Sequence, residues 1–216
     1  MRNENKDVVE MAARREKMLK EGFRLFSEKR IEPVSMQSVA DASKLGIATV
    51  YRYFHTKTAF VLAIATRQWK DYYGEVEKMY RARGGDAMTA AEELEFFLDC
   101  FIDLYKNHKG ILRFNRNFDV YIRQEGISAE DMRPYNEAVE KFAQKFHTVY
   151  QKAKKDGTLK LDLPERKFFV SSLYIMLSVA GKYAEGLVYP PEMAEEEDLT
   201  DDLVRLKNMI LSTYKA

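Results

Sequence analysis

Apolar residues recur along this chain at steps of three and four, with charged residues between them, from Val8 almost to the last residue. Steps of that size place the apolar positions on one side of an α-helix, the side that must be covered. The first run, Met11, Met18, Leu19, Gly22, Leu25 and Phe26, predicts a long helix. It stops at Arg30, where a helix end would favour glycine, and Pro33 prevents its resumption. Two short runs follow. Met36, Val39 and Ala40 stand behind Ser35, an N-cap candidate, and Val50 and Phe54 lie four apart beyond a turn at Ser43–Gly46. Thr56 then caps a helix predicted from Lys57 to about Arg83, with Leu62, Ala65, Trp69, Tyr72, Val76 and Met79 as its seam.

Gly84-Gly85-Asp86 is the clearest break in the chain. Beyond it, three further stripes predict three further helices. Leu94, Phe97, Leu98, Phe101, Leu104 and Tyr105 form the first, and Ile111, Phe114, Phe118 and Tyr121 the second, which ends by Gly126. Ser128 opens the third, which carries Met132, Tyr135, Val139, Phe142, Phe146, Val149 and Ala153 and closes at Gly157. Asp162 and Pro164 start a helix of another kind. From Phe168 to Leu187 it is apolar on most sides and holds Ser171, Ser172, Ser178, Ala180, Gly181 and Ala184. An acidic turn, Glu195–Asp198, precedes a last helix capped near Thr200, with Leu203, Leu206, Ile210 and Tyr214 inward. No segment has the two-residue period of a strand, so an all-α fold is predicted.

The two short helices carry the functional signal. The second has a small apolar back, Val50 and Phe54, and a front of Ile47, Ala48, Tyr51 and Arg52, with Thr49 and Tyr53 on the flanks. A short helix with that division, held behind another by a tight turn, has the shape of a helix-turn-helix whose second helix enters a DNA major groove. The stretch from Val39 to Phe54 resembles the tetracycline-repressor-like (TetR/AcrR-like) transcriptional regulators. Val39-Ala40, Ser43-Lys44-Leu45-Gly46, Ala48-Thr49-Val50-Tyr51 and Tyr53-Phe54 fall on the family pattern without a gap, and Phe54-His55-Thr56-Lys57 resembles the start of its fourth helix. Leu19, Gly22, Leu25-Phe26 and Ser35 sit where the family's first helix and following turn place such residues. The chain departs from the pattern where Lys44 takes the turn's usual glycine, Gly46 the usual capping serine, Ala48 a glycine and Thr58 a glutamate.

The resemblance implies an N-terminal three-helix DNA-binding domain over residues 1–57, a fourth helix from Lys57 that links the two parts, and a helical ligand-binding and dimerisation domain over residues 58–216. By position, Gln37, Ala48, Tyr51 and Arg52 are candidates for base edges, with Ile47 or Ala48 against a thymine methyl. Ser35, Lys44, Thr49, Tyr53 and Lys57 are candidates for phosphate, and Tyr51 and Tyr53 have packing on the first helix as their alternative. Arg2 and Lys6 read as solubilising charges on a loose arm.

Overall charge adds little, because 35 Lys and Arg face 34 Asp and Glu. Its distribution is more telling: residues 1–57 hold 12 basic against 8 acidic side chains, and the remainder 23 against 26. A mildly basic head on a mildly acidic body fits a DNA-facing end. The single cysteine, Cys100, excludes an internal disulfide and any multi-cysteine metal site. The charged N-terminus lacks the apolar core of a signal peptide, and Phe168–Gly181 is too short to span a bilayer, so a soluble cytoplasmic protein without membrane contact is expected. The residues three before His55, His108 and His147 are Arg52, Tyr105 and Gln144, which excludes the Glu-x-x-His ligands of a di-metal helical bundle. Phosphate-loop, dinucleotide, zinc-protease and nucleophile-elbow motifs are absent, so no enzyme, cofactor or metal is expected.

Two features of the body bear on function. Trp69, Phe97, Phe101, Phe114, Phe118, Tyr121, Phe142, Phe146 and Tyr150 all fall on inward stripes, enough aromatic surface to line a cavity for a small hydrophobic or aromatic effector. Polar anchors for it, Asn115, Arg116, Asn117, Asp119 and Arg123, share a helix with Phe114 and Phe118, and Phe118→Ala is expected to alter ligand response while sparing DNA binding. The last two helices are expected to pair with their copies in a homodimer, as the resemblance implies, through Ser172, Ile175, Val179, Tyr183, Leu203, Leu206 and Ile210. The expected function is a ligand-released repressor that binds a palindromic double-stranded operator. An activator, or a helical protein whose body recognises another protein, are the alternatives.

Overall fold

The computed structural model describes residues 4–186 and 199–216; Arg2, the acidic turn Glu195–Asp198 and Leu187 lie outside the described residues, as does the side chain of Lys6. Ten α-helices are described: α1 (Glu4–Lys29), α2 (Met36–Ser43), α3 (Ile47–Phe54), α4 (Lys57–Arg83), α5 (Ala90–Asn107), α6 (Lys109–Glu125), α7 (Ala129–Asp156), α8 (Glu165–Phe169), α9 (Ile175–Ala184) and α10 (Thr200–Tyr214). A 3-10 turn, Gly85–Ala87, follows α4, and a π-helical segment, Val170–Tyr174, joins α8 to α9. The fold is all-α, and Leu159 and Lys215 make one isolated antiparallel bridge among the described residues.

The chain packs as two units, one of residues up to Gln68 together with Arg113–Asn136, the other of Trp69–Leu112 and Glu137–Ala216. This differs from a division at Lys57, and the reason is in the first unit's core. Met18, Leu19, Leu25 and Phe26 of α1 meet Val39 and Ala40 of α2 and Val50 and Phe54 of α3, as the stripes predicted. The same cluster takes Phe60, Val61, Ile64 and Ala65 from the first turns of α4, and Phe114, Phe118 and Tyr121 from α6. Three helices with so little apolar surface need that cover. Gly22 permits the approach of α1 to α4, since a Cβ there would overlap the Phe60 ring. Met11, assigned to the α1 stripe, is instead exposed, along with Val8 and Val9.

In the second unit α5 packs against α9 and α10. Its start is closed from three directions. Thr89 and Glu92 form a reciprocal capping box, Asp156 Oδ2 accepts from the Ala90 amide at 2.8 Å, and Thr158 Oγ1 accepts from the Ala91 amide at 3.1 Å. The apolar helix predicted through Phe168 is broken into α8 and α9 by the π segment. Ser171 Oγ donates to the Lys167 carbonyl at 2.8 Å and Ser172 Oγ to the Phe168 carbonyl at 2.6 Å. Hydroxyls that take carbonyls four residues back compete with the backbone amides for them, which favours the wider turn. No helix among the described residues is long and apolar enough to cross a membrane.

Candidate nucleic-acid interface

The α2–α3 corner is built by local rules. Ser35 caps α2, its hydroxyl accepting from the Ser38 amide at 3.0 Å. The helix ends in a Schellman turn: the Leu45 amide donates to the Ala40 carbonyl at 2.9 Å and the Lys44 amide to the Asp41 carbonyl at 3.0 Å. That turn needs one left-handed residue, and Lys44 supplies it with φ 55° and ψ 43°. Ser43, just before it, is fully buried, and its hydroxyl has no hydrogen-bond partner. Gly46 starts α3 and offers no side-chain cap.

Val50 and Phe54 turn inward and leave Ala48, Tyr51 and Arg52 exposed on the opposite side of α3; Ile47, Thr49 and Tyr53 are half-buried. Gln37 and Lys44 are exposed on the adjoining helix and turn. Tyr53 also reaches back to α1, where its hydroxyl donates to the Met11 carbonyl at 3.3 Å, and the Arg52 guanidinium lies 6.0 Å from its ring centre. Ser35 spends its hydroxyl on the cap. Lys57 is partly committed as well: Nζ donates to the Glu32 carbonyl at 3.0 Å, and burial lowers its ammonium pKa from the ordinary value.

Three residues at this corner lie outside the set assigned to DNA contact. Arg15 of α1 stands with its guanidinium 5.4 Å from the Phe54 ring centre. His55 forms a tight γ-turn between α3 and α4, with φ 57°, ψ −47° and the Thr56 amide on the Phe54 carbonyl at 2.5 Å. Asp41 accepts a hydrogen bond from Gln37 Nε2 at 2.7 Å. The Gln37–Asp41 spacing of four, which makes the pair neighbours on a helix face, was the available signal for the last.

Residues 18–64, which contain this corner, match the family model of the bacterial regulatory proteins of the tetR family. Over that segment the chain is similar to this family. Solved tetR-type structures share its fold. One is a TetR-family transcriptional regulator from Vibrio parahaemolyticus, at TM-score 0.66 and 17% identity over 93% of this chain and 98% of that one. A transcriptional regulator from Saccharomonospora viridis, solved in complex with choline, aligns at 0.69 and 15% over 95% and 99%. The FadR regulator from Bacillus subtilis, solved in complex with stearoyl-CoA, aligns at 0.64 and 14% over 91% and 97%. No curated protein is close enough in sequence to be matched.

The nine body aromatics do not form one group. Phe114, Phe118 and Tyr121 belong to the core of the first unit, and Asn115 and Asn117 are in that unit too. Phe118 is fully buried there, against Tyr135 at 4.7 Å between ring centres. These three, expected from the sequence to line a cavity, pack in the core of the first unit, where α6 supplies cover that α1–α3 lack. The other six are in the second unit. Trp69 and Phe142 meet edge-on at 5.6 Å, Phe97 and Phe146 at 4.8 Å, while Tyr150 packs on Phe168 at 5.8 Å and Phe101 is half-buried.

A buried polar cluster beside them was missed. Glu93 is 1% exposed; it accepts from Tyr80 Oη at 2.8 Å and pairs with Lys152, whose Nζ also donates to the Met88 carbonyl at 2.8 Å and the Asp86 carbonyl at 3.1 Å. A lone glutamate on a helix stripe gives no sign of a partner 59 residues away. Cys100 is buried, which pushes its thiol pKa up and keeps it protonated.

Of the residues expected at a self-association surface, Ser172, Leu203 and Ile210 are buried within the second unit. Ser172 is turned in by the π segment, and Leu203 and Ile210 lie on the buried face of α10. Val179, Tyr183 and Leu206 are half-buried and Ile175 is 41% exposed. Val170, Tyr174 and Met209, which were not singled out, are also exposed.

Proposed function

We propose that the chain is a homodimeric, cytoplasmic repressor that reads a roughly palindromic operator and is released by a small hydrophobic or aromatic effector, with no catalytic step. The observation that carries the DNA reading is the exposed face of α3. Ala48, Tyr51 and Arg52 stand free on a helix whose back, Val50 and Phe54, is locked into a core, with Gln37 and Lys44 beside them. Side chains fixed in that way read base edges with little loss of freedom on binding. Ser35, Lys44, Thr49, Tyr53 and Lys57 border the face and take phosphates. For Lys57 this is a second duty, since an ammonium that gives one hydrogen to Glu32 keeps two for an anion.

The effector reading rests on the six aromatics of the second unit and on similar folds solved with choline and with stearoyl-CoA. Helix α4 runs unbroken from the DNA-facing unit into the body. A ligand that binds one conformation of the body better than another biases the head through that helix, and each tenfold of preference shifts the balance by about 1.4 kcal/mol.

The test is selection from a randomised duplex library, followed by titration of the selected duplex. A symmetric site with half-sites about one helical turn apart is expected. Arg52→Ala should lose roughly 1–3 kcal/mol and relax preference at one base position in each half-site. Equal affinity for every duplex, before and after that substitution, would refute the reading.

A further inference from the structure

The Gln37 side chain is the one base-reading candidate whose polarity the structure fixes. Its Nε2 donates to Asp41 Oδ1 at 2.7 Å, both residues are exposed on α2, and they stand one turn apart. A glutamine amide has two nearly isosteric ends, a donor and an acceptor, and on a free side chain either can face a base. An ionised carboxylate only accepts. Beside Asp41, therefore, the NH2 end is the one held at the helix, and the reversed amide would set Oε1 against a carboxylate oxygen.

We propose that Asp41 is a positioning residue for sequence recognition, holding Gln37 in the orientation that reads adenine and rejects guanine. This rests on the DNA-binding reading above. An amide that gives one hydrogen to Asp41 keeps its oxygen and its second hydrogen. Those are the partners of the adenine N6 amino group and N7 in the major groove. Guanine presents two acceptors there, O6 and N7, so one of them meets the Gln37 oxygen. Cytosine, with its single amino donor, makes one bond and ranks between them. Asp41 does this without touching DNA. It also brings a negative charge near the phosphates, an effect that is blind to sequence and can be separated from the first.

The experiment uses the full chain and the duplex recovered from the randomised library. Gln37→Ala locates the base pair that Gln37 reads, as the position where preference is lost. Four duplexes that differ only there are then titrated with the wild-type chain, Asp41→Ala and Asp41→Asn, each first checked for an unchanged melting temperature. The wild-type chain should favour adenine over guanine by about tenfold or more. Both Asp41 variants should cut that ratio to about twofold, because the amide can then reverse and donate to guanine, while affinity for all four duplexes rises through loss of the carboxylate. A uniform rise with the adenine-to-guanine ratio kept would overturn the proposal and leave the DNA reading standing. So would a Gln37→Ala variant with unchanged preference at every position. Failure of the wild-type chain to select any sequence would instead remove the reading beneath it.

Discussion

Two adjacent residues at the helix-turn-helix turn are held at a cost to stability. Ser43 buries a hydroxyl with no partner, and Lys44 takes a left-handed conformation with φ 55°. An unpaired buried polar group costs about 1–3 kcal/mol, so Ser43→Ala should stabilise the chain by about 1 kcal/mol in a urea titration, helped by alanine's helix propensity. A loss of stability would show that the hydroxyl is paired in solution. Lys44→Gly should also stabilise, by about 1 kcal/mol, since glycine adopts that backbone without a Cβ penalty. On DNA its sign reverses. Removing an exposed cation from the proposed phosphate ring should weaken binding to all sequences and reduce the salt slope by about one unit. The place of this turn was legible in the sequence, because the apolar stripe stops at Ser43 and Lys44 stands where the family pattern it resembles has glycine. The orphaned hydroxyl of Ser43 was not, because one short polar residue on a helix stripe does not reveal what surrounds it.

Element existence followed from apolar spacing, and the misreadings came where a helix answers to more than one neighbour. The stripe of α6 was read correctly as Ile111, Phe114, Phe118 and Tyr121, all buried. What they are buried against is a tertiary fact, and periodicity carries no partner. Phe114, Phe118 and Tyr121 complete the core of the first unit, with Phe114 packed on Phe23 at 5.8 Å and the Tyr121 hydroxyl 3.1 Å from Thr58 Oγ1. The consequence for Phe118→Ala is changed. Truncating a fully buried phenylalanine costs about 3–5 kcal/mol, and here that loss falls on the unit that carries α3. A drop of that size in unfolding free energy, with operator affinity falling in parallel at temperatures near the transition, is expected. Full stability with only an altered ligand response would restore the cavity role. The π segment was illegible for a different reason. The serines at 171 and 172 were read for their small size, whereas their effect comes from hydroxyls that capture the carbonyls of Lys167 and Phe168.

At the scale of the whole molecule, the proposed reading of a palindromic operator requires a second α3 at fixed distance, and therefore a surface that binds its own copy. The π segment and the start of α9 expose Val170, Tyr174 and Ile175, the last two at 58% and 41%. Ser178 lies four residues beyond Tyr174 and is exposed as well, and Val179 is half-buried four beyond Ile175. A single exposed apolar residue asks for no explanation, but this group falls within six consecutive positions on one short stretch. In a two-fold dimer each of these residues contributes twice, because the same patch supplies both sides. Burying the remaining exposed half of Tyr174 and of Ile175 is worth about 1 kcal/mol per side chain, or about 4 kcal/mol for both residues in both copies. Tyr174→Glu and Ile175→Glu should each weaken self-association by about a hundredfold or more, once the cost of placing a carboxylate in an apolar contact is added. Sedimentation would show the monomer, and affinity for a full operator should fall toward that for a half-site. Because both side chains are exposed in the single chain, its own unfolding free energy should change by less than about 0.5 kcal/mol. A dimer that survives both substitutions would move the interface off this stretch. A dimer lost together with the fold would mean that these side chains are internal.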